Sequence, residues 1–238
     1  MPNESIPTAD KNVLAEARRL LGECILFRGL SPDERKGLVA QARIKHFAPG
    51  DKIFAMGSSG DSMMAILSGS VRVSIHSLEG REVVLALLQP GEVLGEIALL
   101  DGKERTADAQ AMTACTLAIL ERRDVLAFLE RQPSGWLRLI EVLCGRLRHT
   151  DQHIAEVAFL ELPARLAKAL LRISGRPGHG SAGGHIRLSQ RELGNMIVAT
   201  RESVNKCLRE WQRRGVVRVE ENSIVIIKQA ELEALAGD

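Results

Sequence analysis

An acidic and a basic side chain flank a short apolar run in the segment GEIALLDGKERTA, residues 95–107. Glu96 follows Gly95, and Arg105 lies nine positions after Glu96, beyond the turn sequence Asp-Gly-Lys. An ionised carboxylate only accepts hydrogen bonds and a guanidinium only donates them, so the two groups have complementary chemistry. Two interpretations are open at this point: the segment is a turn between strands, or it is a ligand site.

A second chemically distinctive stretch lies towards the C-terminal end and is strongly basic. Residues 201–218 contain six basic and two acidic side chains, a local charge of +4, whereas the whole chain carries only +2. A nucleic-acid surface on such a chain must come from a local concentration of Lys and Arg. The alternative is an ordinary solvated helix face. The clustering at the start of a predicted helix favours nucleic-acid binding.

Two predicted helices and a hairpin position this basic stretch. Ser189 and Glu192 form a capping box for the helix RELGNMI, and Thr200 caps the second helix, RESVNKCLREWQRRG. The turn VAT separates the two helices, and VVRVEENSIVIIK follows as a hairpin. This order predicts a winged helix-turn-helix.

The first residues of the second helix are the predicted base readers, because this part of such a motif meets the base edges of DNA. Arg and Lys side chains donate to guanine O6 and N7, and Glu accepts from cytosine N4. Arg201, Glu202, Asn205 and Lys206 share one side of the helix. The residues assigned to the DNA interface are Ser189, Thr200, Arg201, Glu202, Ser203, Asn205, Lys206, Arg209, Arg213 and Arg214.

The segment of Glu96 and Arg105 belongs to a region of short strands, from about residue 44 to 120. KIFA, MMAIL, VRVSI, EVVLALL and CTLAIL are strand-like runs, and turn sequences such as APGD, LEGR and QPGE separate them. Regular short strands of this kind predict an all-β barrel or roll, although composition alone is equally compatible with a β-sandwich.

Helical periodicity begins after residue 120. RRDVLAFLERQP predicts one short helix that ends at Pro133, and the following segment has no proline until Pro163. Its apolar positions recur at alternating gaps of three and four, which is a heptad pattern and predicts a dimeric coiled coil. The alternative is a long helix that packs on its own domain. The seam consists of Leu137, Ile140, Cys144, Leu147, Asp151, Ile154 and Ala158.

The chain beyond this helix contains a junction and a loop. Glu161-Leu162-Pro163 predicts a helix start with a soft hinge, because Glu is a poor cap, and PARLAKALLRIS continues as the helix. GRPGHGSAGGH is a glycine-rich sequence and predicts an exposed loop. His149 and His153, one turn apart on the long helix, are assigned to its solvent-facing side.

Several classes of protein are excluded by composition and motifs. The chain contains no apolar window long enough to span a membrane and no secretory signal, which predicts a cytoplasmic protein. Its four cysteines are scattered, without a Cys-x-x-Cys pair, so no metal site is expected. The chain has no G-x-S-x-G, H-E-x-x-H or Walker sequence, and we do not expect an enzyme.

Taken together, GEIALLDGKERTA, RLRHTDQHIAEVAFLEL and SQRELGNMIVATRESVNKCLREW resemble the Crp/Fnr family of bacterial transcription regulators over nearly the full chain. The resemblance implies an α+β fold with three parts. These are a cyclic-nucleotide-binding β-roll (residues 1–133), a dimerisation helix (134–160) and a winged helix-turn-helix (161–238).

The resemblance also implies how the 95–107 segment works. Glu96 would accept a hydrogen bond from a ribose 2′-hydroxyl, and Arg105 would meet a cyclic phosphate as a charge-assisted partner. Gly95 and Gly102 let the backbone come close to the ligand. The full set implied is Gly95, Glu96, Arg105, Thr106, Arg146, Thr150 and Asp151, with cyclic AMP as first and cyclic GMP as second candidate effector and no prosthetic group.

The partners that the resemblance implies are a second copy of the chain, palindromic double-stranded DNA with a TGTGA-like half-site, and RNA polymerase. Val198 stands in the turn where relatives have glycine, and Asn205 and Lys206 replace a family Gly and Arg, so the half-site stays open. One alternative is a regulator of the same family that is ligand-independent or redox-gated through Cys207. Another is a cyclic-nucleotide module that does not bind DNA.

Overall fold

The computed structural model describes residues 19–20, 22–25, 40–175, 180–181, 185–220 and 223–237. The chain divides into two compact units. The first holds the described residues up to Ile75 together with Ala86–Arg146, and the second holds His76–Leu85 together with the described residues from Leu147 onward.

The first unit is built on two four-stranded antiparallel sheets, with strand orders β1-β8-β3-β6 and β2-β7-β4-β5. This confirms the predicted roll. The sequence runs named as strands correspond to β2, β3, β4, β5 and β8, whereas β1, β6 and β7 were not named individually. The strands are β1 (Arg43–Phe47), β2 (Lys52–Phe54), β3 (Ser62–Ser68), β4 (Val71–His76), β5 (Glu82–Leu88), β6 (Val93–Leu94), β7 (Asp108–Ala111) and β8 (Cys115–Glu121).

Both faces of β3 are buried, which explains why SMMAILS is apolar throughout instead of alternating. Met64 and Ile66 join a core cluster formed mainly by strand residues, with Val71, Leu88 and Leu117. Met63, Ala65 and Leu67 join a second cluster together with helical residues, among them Leu99, Val125, Leu129 and Leu139.

Between residues 96 and 159 the chain forms the helices α1 (Glu96–Asp101), α2 (Arg122–Arg131) and α3 (Pro133–Phe159). The six residues of α1 lie between Gly95 and Gly102, which both have left-handed backbone conformations. The apolar run of the 95–107 segment is therefore a short helix and not a simple turn between strands. The short helix before Pro133 and the long one after it are confirmed.

The predicted seam of α3 is exposed to solvent along its whole length. Leu137 is 65%, Ile140 51%, Leu147 62% and Ile154 61% exposed. Cys144, Asp151 and Ala158 are exposed as well. These positions do not pack within the described chain, whereas Leu139 and Val142 on another side of α3 pack on the core of the domain. The helix therefore lies on its own domain and leaves the seam exposed, and pairing through the seam stays a prediction.

The second unit contains the helices α4 (Leu162–Ser174), α5 (Gln190–Ile197), α6 (Arg201–Arg213) and α7 (Gln229–Ala236). A four-stranded sheet has the order β11-β12-β10-β9. Its strands are β9 (Gly180–Ser181), β10 (His185–Ile186), β11 (Val217–Val219) and β12 (Ile224–Ile226).

Two features of this unit differ from the prediction. The glycine-rich sequence is not wholly a loop: β9 pairs with β10, and β10 pairs with β12, so the wing hairpin has two further short strands beside it. Residues 176–179 and 182–184 of that predicted loop lie outside the described residues. Helix α7 was not predicted at all, and it packs against α4 with Leu232 and Ala236 buried. Within the described ranges, no helix has the length and apolar character needed to cross a membrane.

Candidate functional site

Glu96 is a fully buried carboxylate at the first position of α1. Arg146 on α3 donates from Nη1 to Glu96 Oε1 and from Nη2 to the carbonyl of Val93, so the guanidinium fixes one oxygen of the acid. The other oxygen, Oε2, is also shielded from solvent and has no hydrogen-bond partner among the described residues. A buried carboxylate oxygen without a donor is costly, so this atom is a candidate point of ligand contact.

Arg105 is held by the backbone on the other side of the same segment and is only 4% exposed. Its Nη1 donates to the carbonyl of Gly95 at 2.8 Å, and its Nη2 donates to the carbonyl of Ser62 at 2.6 Å and to Ser62 Oγ at 3.2 Å. The guanidinium carbon lies 4.5 Å from the ring centre of Phe54, a cation–π contact. The remaining donor, Nε, is buried and has no described partner.

Burial lowers the pKa of Arg105 from its ordinary value, while Coulombic attraction to Glu96 and Asp61 raises it. The guanidinium keeps its charge, because an arginine pKa starts far above neutrality. The segment therefore contains a buried cation beside a buried anion. Each of them has one unsatisfied atom, an acceptor on Glu96 and a donor on Arg105. A ligand with a hydroxyl group next to an anionic group satisfies both atoms at once.

The structure brings together four of the seven predicted ligand residues. Hydrogen bonds join Arg105 to Gly95 and Arg146 to the neighbouring Glu96. Thr106 is exposed, next to Arg105 in the chain. Thr150 and Asp151 are exposed on α3 and belong to the second unit, so their contribution to the same site stays a prediction.

Sequence reasoning missed Ser62 and Phe54, which hold the guanidinium of Arg105. Both are distant from Arg105 in the sequence, on β3 and β2, and only the sheet topology brings them to it. No local pattern could have found them.

The helix-turn-helix of the second unit begins and turns as predicted. Ser189 Oγ accepts from the Glu192 backbone N–H at 3.2 Å, and Glu192 Oε2 accepts from the Ser189 backbone N–H at 2.8 Å, which completes the capping box. Thr200 Oγ1 accepts from the backbone N–H of Ser203 at 3.2 Å and donates to Ser203 Oγ at 3.0 Å. Ser189, Thr200 and Ser203 therefore define the helix starts.

Helix α6 presents a basic face and buries the opposite one. Val204, Cys207, Leu208 and Trp211 are buried, whereas Arg201, Glu202, Lys206, Arg209 and Arg213 are exposed and Asn205 is half-buried. In the described part of the chain, Arg201, Lys206, Arg209 and Arg213 form no ion pair with an acidic side chain. Their charges are available to an external polyanion.

Two residues beside this face have other surroundings. Arg214 follows the helix and lies 3.9 Å from Glu231 on α7, so its charge is partly matched within the chain. Cys207 is buried, and burial with the nearby Glu210 carboxylate raises the pKa of its thiol to about 11. Because the thiolate is the reactive form, burial makes this thiol less reactive than a free cysteine.

Val198 is the one described residue other than glycine with positive φ, at φ 54° and ψ 56°. It ends α5 in the left-handed conformation that a β-branched residue disfavours. The turn packs closely on α5: a Cβ on Gly194 would lie 2.6 Å from the carbonyl oxygen of Ala199.

Two family models match the two functional regions. The cyclic nucleotide-binding domain matches residues 44–132, and the Crp-like helix-turn-helix domain matches residues 164–235. The first therefore contains the segment of Glu96 and Arg105, and the second contains the basic face of α6.

Complete relatives match along the chain. The CRP-like cAMP-activated global transcriptional regulator of Mycobacterium tuberculosis is 32% identical over 211 residues, 87% of this chain and 94% of that protein. The cyclic AMP receptor protein of Thermus thermophilus is 35% identical, over 89% of this chain and 96% of its own.

Among solved structures, the c-di-GMP responsive global regulator of Xanthomonas campestris shares the fold with a TM-score of 0.76. It is 22% identical, and the match covers 82% of this chain and 99% of that one. The two matched domains and the level of identity to full-length relatives lead to one conclusion: the chain belongs to the Crp/Fnr family of transcription regulators, not to an enzyme family, and joins a cyclic nucleotide-binding domain to a DNA-binding helix-turn-helix.

Proposed function

We propose that cyclic AMP is the effector of this regulator, with cyclic GMP as the second candidate, and that Gly95, Glu96, Arg105 and Thr106 bind it. The observation that carries the proposal is the pair of unsatisfied buried atoms, Glu96 Oε2 and Arg105 Nε. A cyclic nucleotide carries a ribose 2′-hydroxyl close to an anionic phosphate. The hydroxyl would donate to Glu96 Oε2, and Arg105 would donate to the phosphate.

The preference for adenine over guanine in the nucleotide is proposed from the relatives, and Asp151 is the residue expected to contact the base. The relatives from M. tuberculosis and T. thermophilus are named for cyclic AMP, whereas the fold neighbour from X. campestris is described as c-di-GMP responsive. Asp151, when ionised, accepts from adenine N6 or from guanine N1 and N2, so it suits either base. Asp151→Ser should therefore change the ratio of affinities for cyclic AMP and cyclic GMP.

Calorimetry with cyclic AMP, cyclic GMP and 2′-deoxy cyclic AMP tests this assignment. The wild type should bind cyclic AMP most tightly and lose roughly 10-fold or more in affinity for the deoxy analogue, because a buried acceptor is left unpaired. Glu96→Gln should bind both adenine nucleotides with similar affinity. The matched control is Glu104→Gln, which removes an exposed charge beside Arg105 and should behave like the wild type. Wild-type protein that does not distinguish the deoxy analogue would refute the role of Glu96.

Nucleotide binding at Glu96 and Arg105 should control DNA binding. Arg105→Ala should abolish the effect of the nucleotide on DNA affinity and leave binding without nucleotide unchanged, since the described partners of the Arg105 guanidinium are Gly95, Ser62 and Phe54 and not the helix-turn-helix. Equal DNA affinity with and without saturating cyclic AMP or cyclic GMP would instead favour the ligand-independent alternative.

We further propose that two copies pair in parallel through the exposed seam of α3 and read a palindromic site. The supporting observation is the exposure of Leu137, Ile140, Leu147 and Ile154 on one helix, since isolated apolar stripes of this length normally mark an interface. Two helix-turn-helix units related by a two-fold axis then match two DNA half-sites. The TGTGA-like half-site, the contact with RNA polymerase and the cytoplasmic location remain predictions.

Sedimentation measures the oligomeric state directly. Ile140→Glu and Leu147→Glu should give monomers, whereas Gln152→Glu, which adds an acidic charge at an exposed position away from the seam, should leave the dimer intact. Mild oxidation should link two wild-type chains through Cys144, which lies exposed in the seam. A dimer that survives both seam substitutions would contradict the proposal.

A further inference from the structure

The first residue of β5 is hydrogen-bonded to the first helix of the helix-turn-helix. Asn195 Nδ2 on α5 donates to Glu82 Oε2 at 2.7 Å, although 113 residues separate the two in sequence. Both side chains are half-buried. The residues His76–Leu85, here called the hairpin segment, belong to the same compact unit as α5 and α6.

The hairpin segment is short, and its two ends continue into strands of the nucleotide-binding domain. Strand β7 starts at Asp108, three residues after Arg105, and Asp108 is paired with Ser74 on β4. Two residues after Ser74 the hairpin segment begins, and within it the Ser77 N–H donates to the Arg81 carbonyl at 2.9 Å. A short covalent and hydrogen-bonded path therefore leads from Arg105 to Glu82.

The position of Asn195 allows its hydrogen bond with Glu82 to affect α6, the helix predicted to contact the bases. Asn195 lies next to Gly194, whose Cα has no space for a side chain because Ala199 O would lie 2.6 Å from a Cβ. The turn residue Ala199 thus packs closely on α5 directly before α6 begins, so a constraint on α5 also constrains the start of α6.

The negative charge of Glu82 indicates whether its hydrogen bond with Asn195 raises or lowers the affinity for DNA. In a helix-turn-helix the first helix crosses the DNA backbone, close to the phosphates. A carboxylate bound to that helix repels the phosphates. We propose that the hydrogen bond between Glu82 and Asn195 is an inhibitory tether, which holds the helix-turn-helix in an arrangement with reduced affinity for DNA. This inference goes beyond the choice of effector, since it concerns DNA affinity in the absence of any nucleotide.

Equilibrium DNA binding of the full chain without nucleotide tests the tether, with a duplex selected from a random pool by the wild-type protein. Glu82→Ala should raise the affinity roughly 10- to 150-fold, the usual size of a hydrogen bond to a charged group. Glu82→Gln keeps an acceptor without the charge and should give a smaller gain. Glu79→Ala is the matched control, because Glu79 is an exposed acid of the same hairpin segment that pairs with Arg81 at 2.9 Å.

A double-mutant cycle separates the tether from any direct contact of Asn195 with DNA. In the Asn195→Ala background, Glu82→Ala should no longer change the affinity. A gain of the same size in that background, an equal gain from Glu79→Ala, or no gain from Glu82→Ala would each overturn the tether. Because no nucleotide is added, none of these outcomes depends on whether cyclic AMP is the effector.

Discussion

The guanidinium of Arg105 lies directly against the backbone of Gly95, with Nη1 2.8 Å from the Gly95 carbonyl oxygen. A Cβ built on Gly95 would come within 2.3 Å of the same nitrogen. Gly95 also has φ 82°, a conformation that residues with side chains disfavour. The absence of a side chain at position 95 therefore allows both the start of α1 and the position of Arg105.

Gly95→Ala should destabilise the nucleotide-binding domain more than Gly80→Ala, which has φ 76° and open space around a Cβ. Each substitution places alanine at positive φ, at a cost of about 1–2 kcal/mol. Only Gly95→Ala also forces a methyl group against Arg105, which adds about 1–3 kcal/mol. Urea denaturation gives both free energies of unfolding, and equal losses would show that Arg105 moves away freely.

Arg201 and Arg213 should differ in what their removal does to DNA binding. Arg201→Ala should cost about 1–3 kcal/mol on the preferred site and relax the preference at one base pair, because it lies at the start of α6. Arg213→Ala, at the far end of the helix, should weaken binding to all sequences and flatten the salt dependence. Binding titrations over a range of salt concentrations on the selected and a scrambled duplex distinguish the two effects. Equal losses from Arg201→Ala on both duplexes would exclude base reading.

Val198→Gly should stabilise the second unit by about 1 kcal/mol, since it relieves a left-handed β-branched residue in the turn. The control is Ala199→Gly, outside the left-handed region, which should lose about 0.5–1 kcal/mol through backbone entropy. Fluorescence of buried Trp211 in a Trp136→Phe background reports the unfolding of this unit. A loss of stability in Val198→Gly would mean that contacts of the valine outweigh the strain.

His153 should make the stability sensitive to acid. The pKa of His153 is lowered chiefly by burial and also by Arg172 and Arg165, although Glu156 raises it. The unfolded chain therefore takes up a proton at a higher pH than the native chain does, and stability falls as the pH drops below the ordinary histidine value near 6.5. Above that value both states are neutral at this residue, and the contribution vanishes.

Urea denaturation of the His153→Gln variant between about pH 5 and 8 checks this expectation. The variant should show a flatter decrease in stability on the acidic side. His46→Gln, on exposed β1, is the control for a change in histidine content. An unchanged pH profile in His153→Gln would rule out a contribution from this residue.

The sequence predicted the elements with strong local patterns. The gaps of three and four in α3, the capping box of Ser189 and Glu192, and the turn sequences of the roll each depend on neighbours within one turn or strand. The features that could not be predicted depend on tertiary pairing. Strand β10 exists because it pairs with β12, and α7 lacks a side-chain cap and is stabilised by packing on α4.

In the candidate site, too, local sequence patterns identified some residues, whereas others depend on tertiary contacts. Glu96 and Arg105 were found from their spacing, but the inward position of Arg105 depends on Ser62 and Phe54 on other strands. His153 was assigned to the solvent-facing side of α3, and this assignment was wrong: Arg165 and Arg172 of α4 lie close to it and it is half-buried. A heptad position describes one helix alone and does not include the helix that follows it.

Arg146 and Leu147 are consecutive residues of one unbroken helix, and they point about 100° apart because the helix has 3.6 residues per turn. Arg146 donates a hydrogen bond to Glu96, while Leu147 belongs to the exposed seam. Because the helix is continuous, the direction in which Leu147 points is fixed relative to the contact of Arg146 with Glu96. Neither side chain can change its direction around the helix axis without the other. Inserting one alanine between the two residues would turn the seam residues from Leu147 onward by about 100° relative to the seam residues before Arg146, whereas inserting seven would nearly restore the original phase. A series of such insertions would measure how strongly nucleotide binding and pairing through the seam depend on the angle between these two residues around the helix axis.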